Sequence, residues 1–355
     1  MFYRIFLFLA IPIIFFSISF QQVATKPESS LLEESSFPDE FTPPFGLPPI
    51  PWPKDNPYTK KKAELGRLLY FDRRLSSDGT ISCATCHNIP CAFSDCRKTS
   101  TGIEDHQGVR NSPTVINAAY STYLFWDGRA SSLEEQAKGP LANPKEMTNA
   151  KDAHEAHRQC VEKIKAIPGY KTLFKQAFDH DEITIDDITK AIATFERIIL
   201  SGGCSYDYYR AGNSKAMTEE QIRGFRVFKK VGCRSCHSGV QFSDERFMNI
   251  GVGMDKENPD TGRYAITHDE KDWGAFKVPT LRDVQHTYPY MHDGSLRTLE
   301  EVIDYYDRGG IPNKNLHPLM RPLNLTQEEK KSLLEFLKAL NGEGWQTFKE
   351  PEKYP

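Results

Sequence analysis

The chain has 355 residues, 39% of them apolar, with 45 Lys and Arg against 48 Asp and Glu for a net charge of −3. That length suits about two domains with packed cores, and a near-neutral charge without a Lys/Arg block gives no reason to expect a nucleic-acid partner. After Met1 and Arg4 comes an apolar run from Ile5 to Phe20, broken by Pro12, Ser17 and Ser19. It is long for the core of a signal peptide and short for a spanning helix, so residues 1–20 read as an export signal or, if uncleaved, an N-terminal anchor. Either way the folded part is expected in the periplasm, where disulfides persist.

Residues 21–57 hold nine prolines and runs of Ser and Glu without sustained periodicity. They are expected to form an extended linker; the alternative, an arm packed on the body, would use Phe45, Leu47 and Trp52. From Lys60 the pattern turns helical, with Leu65, Leu68 and Leu69 on one face. Thr184 can cap a helix whose stripe is Ile188, Ala191, Ile192, Phe195, Ile198 and Ile199, stopped by Gly202 and Gly203. Thr218 with Gln221 opens a helix through Ile222, Phe225 and Phe228; Thr326 with Glu329 opens another through Leu333, Leu334, Leu337 and Leu340. Strand-like alternation is nearly absent, so the expected fold is mostly α with long loops.

The first helix and the Thr218 helix each lead into a Cys-x-x-Cys-His stretch: Cys83 to His87, reading CATCH, and Cys233 to His237, reading CRSCH. In this spacing two thiols can form thioethers with the haem vinyl groups while the adjacent imidazole reaches the iron. A redox Cys pair or half of a zinc site would not need the His in both copies. Cys83, Cys86 and His87, and likewise Cys233, Cys236 and His237, are therefore expected to carry two covalently bound c-type haems.

An internal repeat surrounds these motifs. Pro113-Thr114, Asp127-Gly128 and Leu133-Glu134-Glu135 recur with the same spacing as Pro279-Thr280, Asp293-Gly294 and Leu299-Glu300-Glu301. Phe93-Ser94-Asp95 is echoed by Phe242-Ser243-Asp244. Two tandem cytochrome c-like domains related by duplication are expected over residues 58–203 and 204–345, with 346–355 a tail. The copies differ where Trp126 precedes the first Asp-Gly and His292 the second. They differ again where the first has Gln136 and Glu146 downstream and the second has Tyr305 and Tyr306.

Here the chain resembles the bacterial dihaem cytochrome c peroxidases and the related dihaem enzymes of methylamine utilisation. The likeness runs from about Leu65 to Leu340 and rests on RNSPTVINAAY (Arg110 to Tyr120), FWDGRASSLEEQAKGPLANPKEM (Phe125 to Met147) and VPTLRDVQHTYPYMHDGSLRTLEEV (Val278 to Val302), besides both haem motifs. It implies a cytochrome-c peroxidase that reduces hydrogen peroxide to water at the haem of His87. Electrons would arrive through the haem of His237 from a small cytochrome c or cupredoxin. It also implies a calcium ion between the domains, with Asn111, Thr287 and Pro289 as protein ligands, a tryptophan between the haems at Trp126, and polar residues over the peroxide site at Gln136 and Glu146. The residue types suit these roles. A carboxylate over an open iron position can take a proton from the near peroxide oxygen and return it to the leaving one, and Gln136 would orient peroxide by hydrogen bonding. The plainer readings are a solvated loop Glu at 146 and a core aromatic at Trp126.

Three departures from the family pattern bear on mechanism. Family members that require prior reduction carry a blocking His on the loop after the first haem motif; Ile103 stands there, with His106 nearby. Four cysteines lie outside the haem pairs, and their even number suggests two disulfides, Cys91 with Cys96 across a short loop and Cys160 with Cys204. At the sixth position of the second haem stands Tyr306 rather than Met, with Met320 the rival ligand and a core tyrosine the alternative. A relative that uses high-valent iron to oxidise a protein or small-molecule partner, and a pure dihaem electron carrier, are the competing functions. The oligomeric state, a homodimer included, is left open.

Overall fold

The computed structural model describes Met1 and residues 37–355; the rest of the expected signal or anchor and the first part of the expected linker lie outside the described residues. Among the described residues there are eleven α-helices and four two-residue strands joined by long loops, and no helix is long and apolar enough to cross a membrane. The first half contains α1 (Lys60–Phe71), α2 (Cys83–Cys86), α3 (Leu133–Leu141), α4 (Ala153–Lys165), α5 (Pro168–Phe178) and α6 (Ile185–Ile198). The second contains α7 (Ser205–Arg210), α8 (Glu219–Lys230), α9 (Tyr264–Thr267), α10 (Leu299–Asp307) and α11 (Gln327–Lys338). Strands β1 (Ser201–Gly202) and β4 (Glu343–Gly344) pair antiparallel, as do β2 (Phe247–Met248) and β3 (Phe276–Lys277).

Local chemistry starts the helices where the sequence says it should. Thr184, Thr218, Thr298 and Thr326 each accept the backbone N–H three residues on, while the side chain at that third position reaches back to the cap. Each such cap contributes ~1 kcal/mol. Beyond the caps, burial decides. On α6, Ile188, Ala191, Ile192, Phe195 and Ile198 are all at most 1% exposed, and burying a large aliphatic or aromatic side chain is worth ~1.5–3 kcal/mol.

Two apolar cores result. One gathers Leu65, Leu69, Phe93, Ile164, Phe174 and Phe195 from the first half; the other gathers Phe225, Phe228, Phe242, Ile303, Leu333 and Phe336 from the second. Each is organised by one helix crossing with a glycine at its centre. A Cβ on Gly66 of α1 would lie 1.9 Å from the Ala191 carbonyl of α6 and 2.9 Å from Phe195 Cβ. A Cβ on Gly224 of α8 would lie 1.9 Å from the Ser332 carbonyl of α11 and 2.8 Å from Phe336 Cβ. Only glycine permits either approach, and the same crossing occurs in both halves.

Two parts of the chain depart from expectation. Residues 37–57 pack on the body as an arm: Phe37 and Ile50 are 8% exposed, Trp52 packs against the first core, and Phe45 stacks on Tyr208 at 4.9 Å. The C-terminal residues also fold back. Phe348 enters the first core, and Arg74 donates to the Pro355 carbonyl at 2.9 Å. Proline-rich sequence without periodicity looked extended, and it is; its few large apolar side chains nonetheless find a surface that only the tertiary fold creates.

Candidate functional site

Each Cys-x-x-Cys-His stretch is delivered as a tight turn, α2 for Cys83–Cys86 and a single 3₁₀ turn for Cys233–Ser235, with the His N–H donating to the carbonyl of the first Cys in both. The following loops are braced alike. Thr114 Oγ1 donates to Ala92 O at 2.6 Å, and Thr280 Oγ1 to Gln241 O at 2.7 Å. Ser94 Oγ donates to Ser112 O at 3.0 Å, and Ser243 Oγ to Val278 O at 2.6 Å. The sequence repeat is thus a repeat of hydrogen bonds as well.

Burial holds both imidazoles below the ordinary histidine pKa, which keeps them neutral and able to bind a metal. His237 Nδ1 lies 2.9 Å from the Phe242 carbonyl, which fixes the ring and leaves Nε2 for a ligand. Nδ1 of His87 is buried without a partner in hydrogen-bonding geometry. Around the second motif opens a cavity of about 590 Å³ walled largely by apolar groups, among them Val284, Leu299, Val302, Ile303, Leu333 and Leu337. Cys233, Cys236 and His237 all line it. Paired thiols, a neutral imidazole and an apolar slot are the donor set and shape that a covalently attached haem requires.

Tyr306, on α10, lines this cavity with Leu299 and Val302, as its helix face predicts. Its hydroxyl has no hydrogen-bond partner among the described residues. Burial raises the phenol well above its ordinary pKa, and the Cys233 and Cys236 thiols add to that. Its neighbour Tyr305 is the core tyrosine, with its hydroxyl donating to Ile250 O at 2.9 Å. Met320 and His317 line the same cavity. His317 carried no signal in the sequence; it lies in an irregular loop with no periodicity to mark its direction.

Near the first motif, Glu146 is half-buried and its Oε1 accepts a 2.6 Å hydrogen bond from Asn143 Nδ2. Burial raises its carboxyl above the usual range, opposed by the charge of Arg129 and by the Asn143 bond. Burial pushes the Cys86 thiol up to about 11, with Ser100 opposing and the Asp95 and Glu146 charges adding, so Glu146 stands within electrostatic reach of the first motif. Gln136, on α3, is half-buried and its amide makes no hydrogen bond among the described residues. Ile103 is 1% exposed, and its N–H donates to the Glu146 carbonyl at 3.0 Å. His106 is exposed.

Between the two halves, Trp126 Nε1 donates to Asn111 O at 2.8 Å, and Asn111 N donates to His292 O at 2.7 Å. The Trp126 and His292 rings meet edge to face at 6.5 Å, and His292 stacks on Phe276 at 3.6 Å. Arg110 bridges the halves, bonding Asp127 at 2.5 Å and Asp260 at 2.6 and 2.8 Å. The Asn111 amide nitrogen faces the Arg97 and Lys98 carbonyls at 3.1 and 3.4 Å. That leaves Asn111 Oδ1 and the Thr287 and Pro289 carbonyls, which accept no hydrogen bond among the described residues and belong to three residues that line the same cavity as the second motif. Uncharged oxygen donors suit calcium. No group of three or more His, Cys, Asp or Glu among the described residues could hold another metal.

Of the four remaining cysteines, Cys91 and Cys96 form the expected disulfide. Cys160 and Cys204 do not pair, which corrects the second expected bridge. Cys160 is buried on α4 in the first core, whereas Cys204 caps α7 and donates its thiol to Asp207 at 3.2 Å beside the buried Arg282–Asp207 ion pair.

A di-haem cytochrome c peroxidase family profile matches residues 60–215. The chain is 39% identical to the cytochrome c551 peroxidase of Nitrosomonas europaea over 289 residues, which is 81% of this chain and 82% of the relative. The chain belongs to the di-haem cytochrome c peroxidase family. It is equally similar to another branch, being 41% identical to the methylamine utilization protein MauG of Methylorubrum extorquens over 83% of this chain and 82% of the relative. Among solved structures, a MauG-like protein associated with microbial copper homeostasis superposes with a TM-score of 0.81 at 33% identity, covering 88% of this chain and 99% of that one. Membership carries a mostly helical fold with tandem haem domains, two c-type haems and oxidoreductase activity on peroxide.

Proposed function

We propose that this enzyme, exported to the periplasm, reduces hydrogen peroxide to two waters at the haem held by Cys83, Cys86 and His87. It would draw two electrons from a small cytochrome c or cupredoxin through the haem held by Cys233, Cys236 and His237. The bound haem supplies an iron to which peroxide binds and which passes electrons. The chain's own residues do the rest. Glu146 Oε takes the proton from the iron-side peroxide oxygen and delivers it to the leaving oxygen, the Gln136 amide orients the peroxide, and Trp126 links the two haem sites. Calcium held by Asn111 Oδ1 and the Thr287 and Pro289 carbonyls would fix Asn111, whose carbonyl holds the Trp126 indole and whose N–H holds the His292 carbonyl.

The observation that carries this reading is the pairing of Glu146 and Ile103. A half-buried carboxyl of raised pKa sits within electrostatic reach of the first motif, and the residue hydrogen-bonded to its backbone is an isoleucine that cannot ligate iron. The deciding experiment is peroxide turnover by the fully oxidised protein as isolated, with reduced donor cytochrome. Turnover without prior reduction is expected; its absence would overturn the open-site reading. The partner-oxidising function is the second reading, and the unpartnered Tyr306 hydroxyl favours it. A phenolate on the second iron would stabilise ferric and higher states rather than the ferrous state an electron-receiving haem needs.

A further inference from the structure

The helix crossings align the two haem-binding halves residue by residue. Gly66 meets Ala191 and Phe195 as Gly224 meets Ser332 and Phe336, so Ala191 corresponds to Ser332 and Phe195 to Phe336. The next residue along each helix is then Glu196 in the first half and Leu337 in the second. Leu337 lines the second haem's cavity. The first half thus puts a carboxyl where the second puts an alkyl side chain.

Glu196 is 5% exposed, and its side chain makes no hydrogen bond among the described residues; Oε2 is fully enclosed without a partner. The groups facing it do not neutralise it. Its charge reaches Cys83 of the first haem motif and Tyr70 of α1, whose hydroxyl donates to the His87 carbonyl at 2.9 Å. Burial pushes both of those groups up, so neither titrates near neutrality. Arg197 is committed to Glu134 of α3 through bonds of 2.6 and 2.8 Å, and that pair holds Glu134 below the usual carboxylate range despite its burial. An unpartnered carboxyl at such depth is tolerated when it can take up a proton. Burial pushes Glu196 up to about 8, with Arg197 opposing and Glu134 adding.

We propose that Glu196 sets the redox potential of the first haem site apart from that of the second and ties it to proton uptake. Glu196 holds a proton when that site is reduced and releases it when that site is oxidised. Each electron delivered there by the donor is matched by one proton from solvent forming an O–H bond on Glu196; on oxidation that bond breaks and the carboxylate offsets the added positive charge. The inference rests on the c-type haem at Cys83–His87 and not on peroxide chemistry.

The test is spectroelectrochemical titration of each haem in the holoprotein at a series of pH values, for wild type, Glu196→Gln and Glu196→Leu. In wild type the first haem's potential should fall with rising pH across neutrality, by up to about 59 mV per tenfold change in proton concentration for a one-electron couple. Both variants should flatten that slope and leave the second haem unchanged. An unaltered slope in Glu196→Gln, or equal changes at both haems, would overturn the proposal. Redox-difference infrared spectra of wild type provide a check that needs no variant: a protonated-carboxyl band should vanish on oxidation of the first haem, and its absence refutes the assignment. Neither readout involves peroxide, so failure here and failure of the peroxidase reading are separable.

Discussion

Replacing Glu146 by Gln removes the ability to accept a proton and little else. Gln has the same shape, and the backbone bonds from Ile103 N to the carbonyl at 146 and from the amide at 146 to Asn143 O, each 3.0 Å, do not involve the side chain. The loop should therefore stay in place with both haems attached. General acid-base catalysis by a positioned side chain is worth roughly 10²–10⁴ in rate, and even the lower figure corresponds to about 2.7 kcal/mol of barrier. Steady-state peroxide turnover with excess reduced donor should thus fall at least ~10²-fold, with peroxide binding to the first haem retained. The pH profile carries a second constraint. The carboxylate must be deprotonated to act as base, so activity rises with pH through the Glu146 pKa, and burial places that limb above the range of an ordinary carboxylate. The Asn143 hydrogen bond stabilises the charged form, so Asn143→Ala should move the acid limb to still higher pH. Turnover within tenfold of wild type in Glu146→Gln, or an acid limb unmoved by Asn143→Ala, would refute the assignment.

Tyr306→Phe should change the spectrum and potential of the second haem while Met320→Ala leaves them nearly intact; the reverse outcome would make Tyr306 a packing residue and strengthen the simple peroxidase reading. His106→Ala should leave the oxidised spectrum of the first haem unchanged, since His106 is exposed; conversion from low-spin to high-spin would show that its loop closes over the iron. Gly224→Ala would drive a Cβ to 1.9 Å from the Ser332 carbonyl and should destabilise by ~1–3 kcal/mol or more, as overpacking does. Thermal unfolding that matched wild type would mean the α8–α11 crossing can separate at no cost.

The haem motifs were legible because thioether attachment and axial ligation demand one spacing of three side chains, a demand that no tertiary context alters. Helix starts were legible for a similar reason: Thr184, Thr218 and Thr326 act on backbone within their own turn. What the sequence hid depends on distant partners. Helices α4 and α5 escaped notice because the buried face of α4 is only Ala156, Cys160 and Ile164 among charged residues, too sparse a stripe to mark a period. Phe37 and Phe348 lie in polar and proline-rich surroundings and become core residues only once α1 and α6 supply a surface. The second disulfide failed on the same ground, since an even count of cysteines does not report distance. Glu196 sat inside a stripe read for its apolar members, and only the crossing at Gly66 shows that it corresponds to Leu337, which lines the second cavity.

The divergence of the two copies has a physical logic that one copy alone would not reveal. Both keep the parts that hold a haem: the Cys pair and His, the Thr114 and Thr280 braces, the glycine at the crossing. They differ in the polar and ionisable side chains around each motif. The first copy has a half-buried Glu146, an unpartnered Gln136 amide, a buried Glu196 and no ligating side chain at Ile103; the second has Tyr306, Met320 and Leu337. Carboxyls that exchange protons belong where oxygen chemistry consumes them, because each electron spent on peroxide must be matched by a proton. An apolar slot belongs where an electron should pass without a proton or a substrate following it. Asn111 joins the two regimes, since its carbonyl accepts from the Trp126 indole and its N–H donates to the His292 carbonyl. A shift of Asn111 therefore moves the Trp126 indole and the His292 backbone at the junction together.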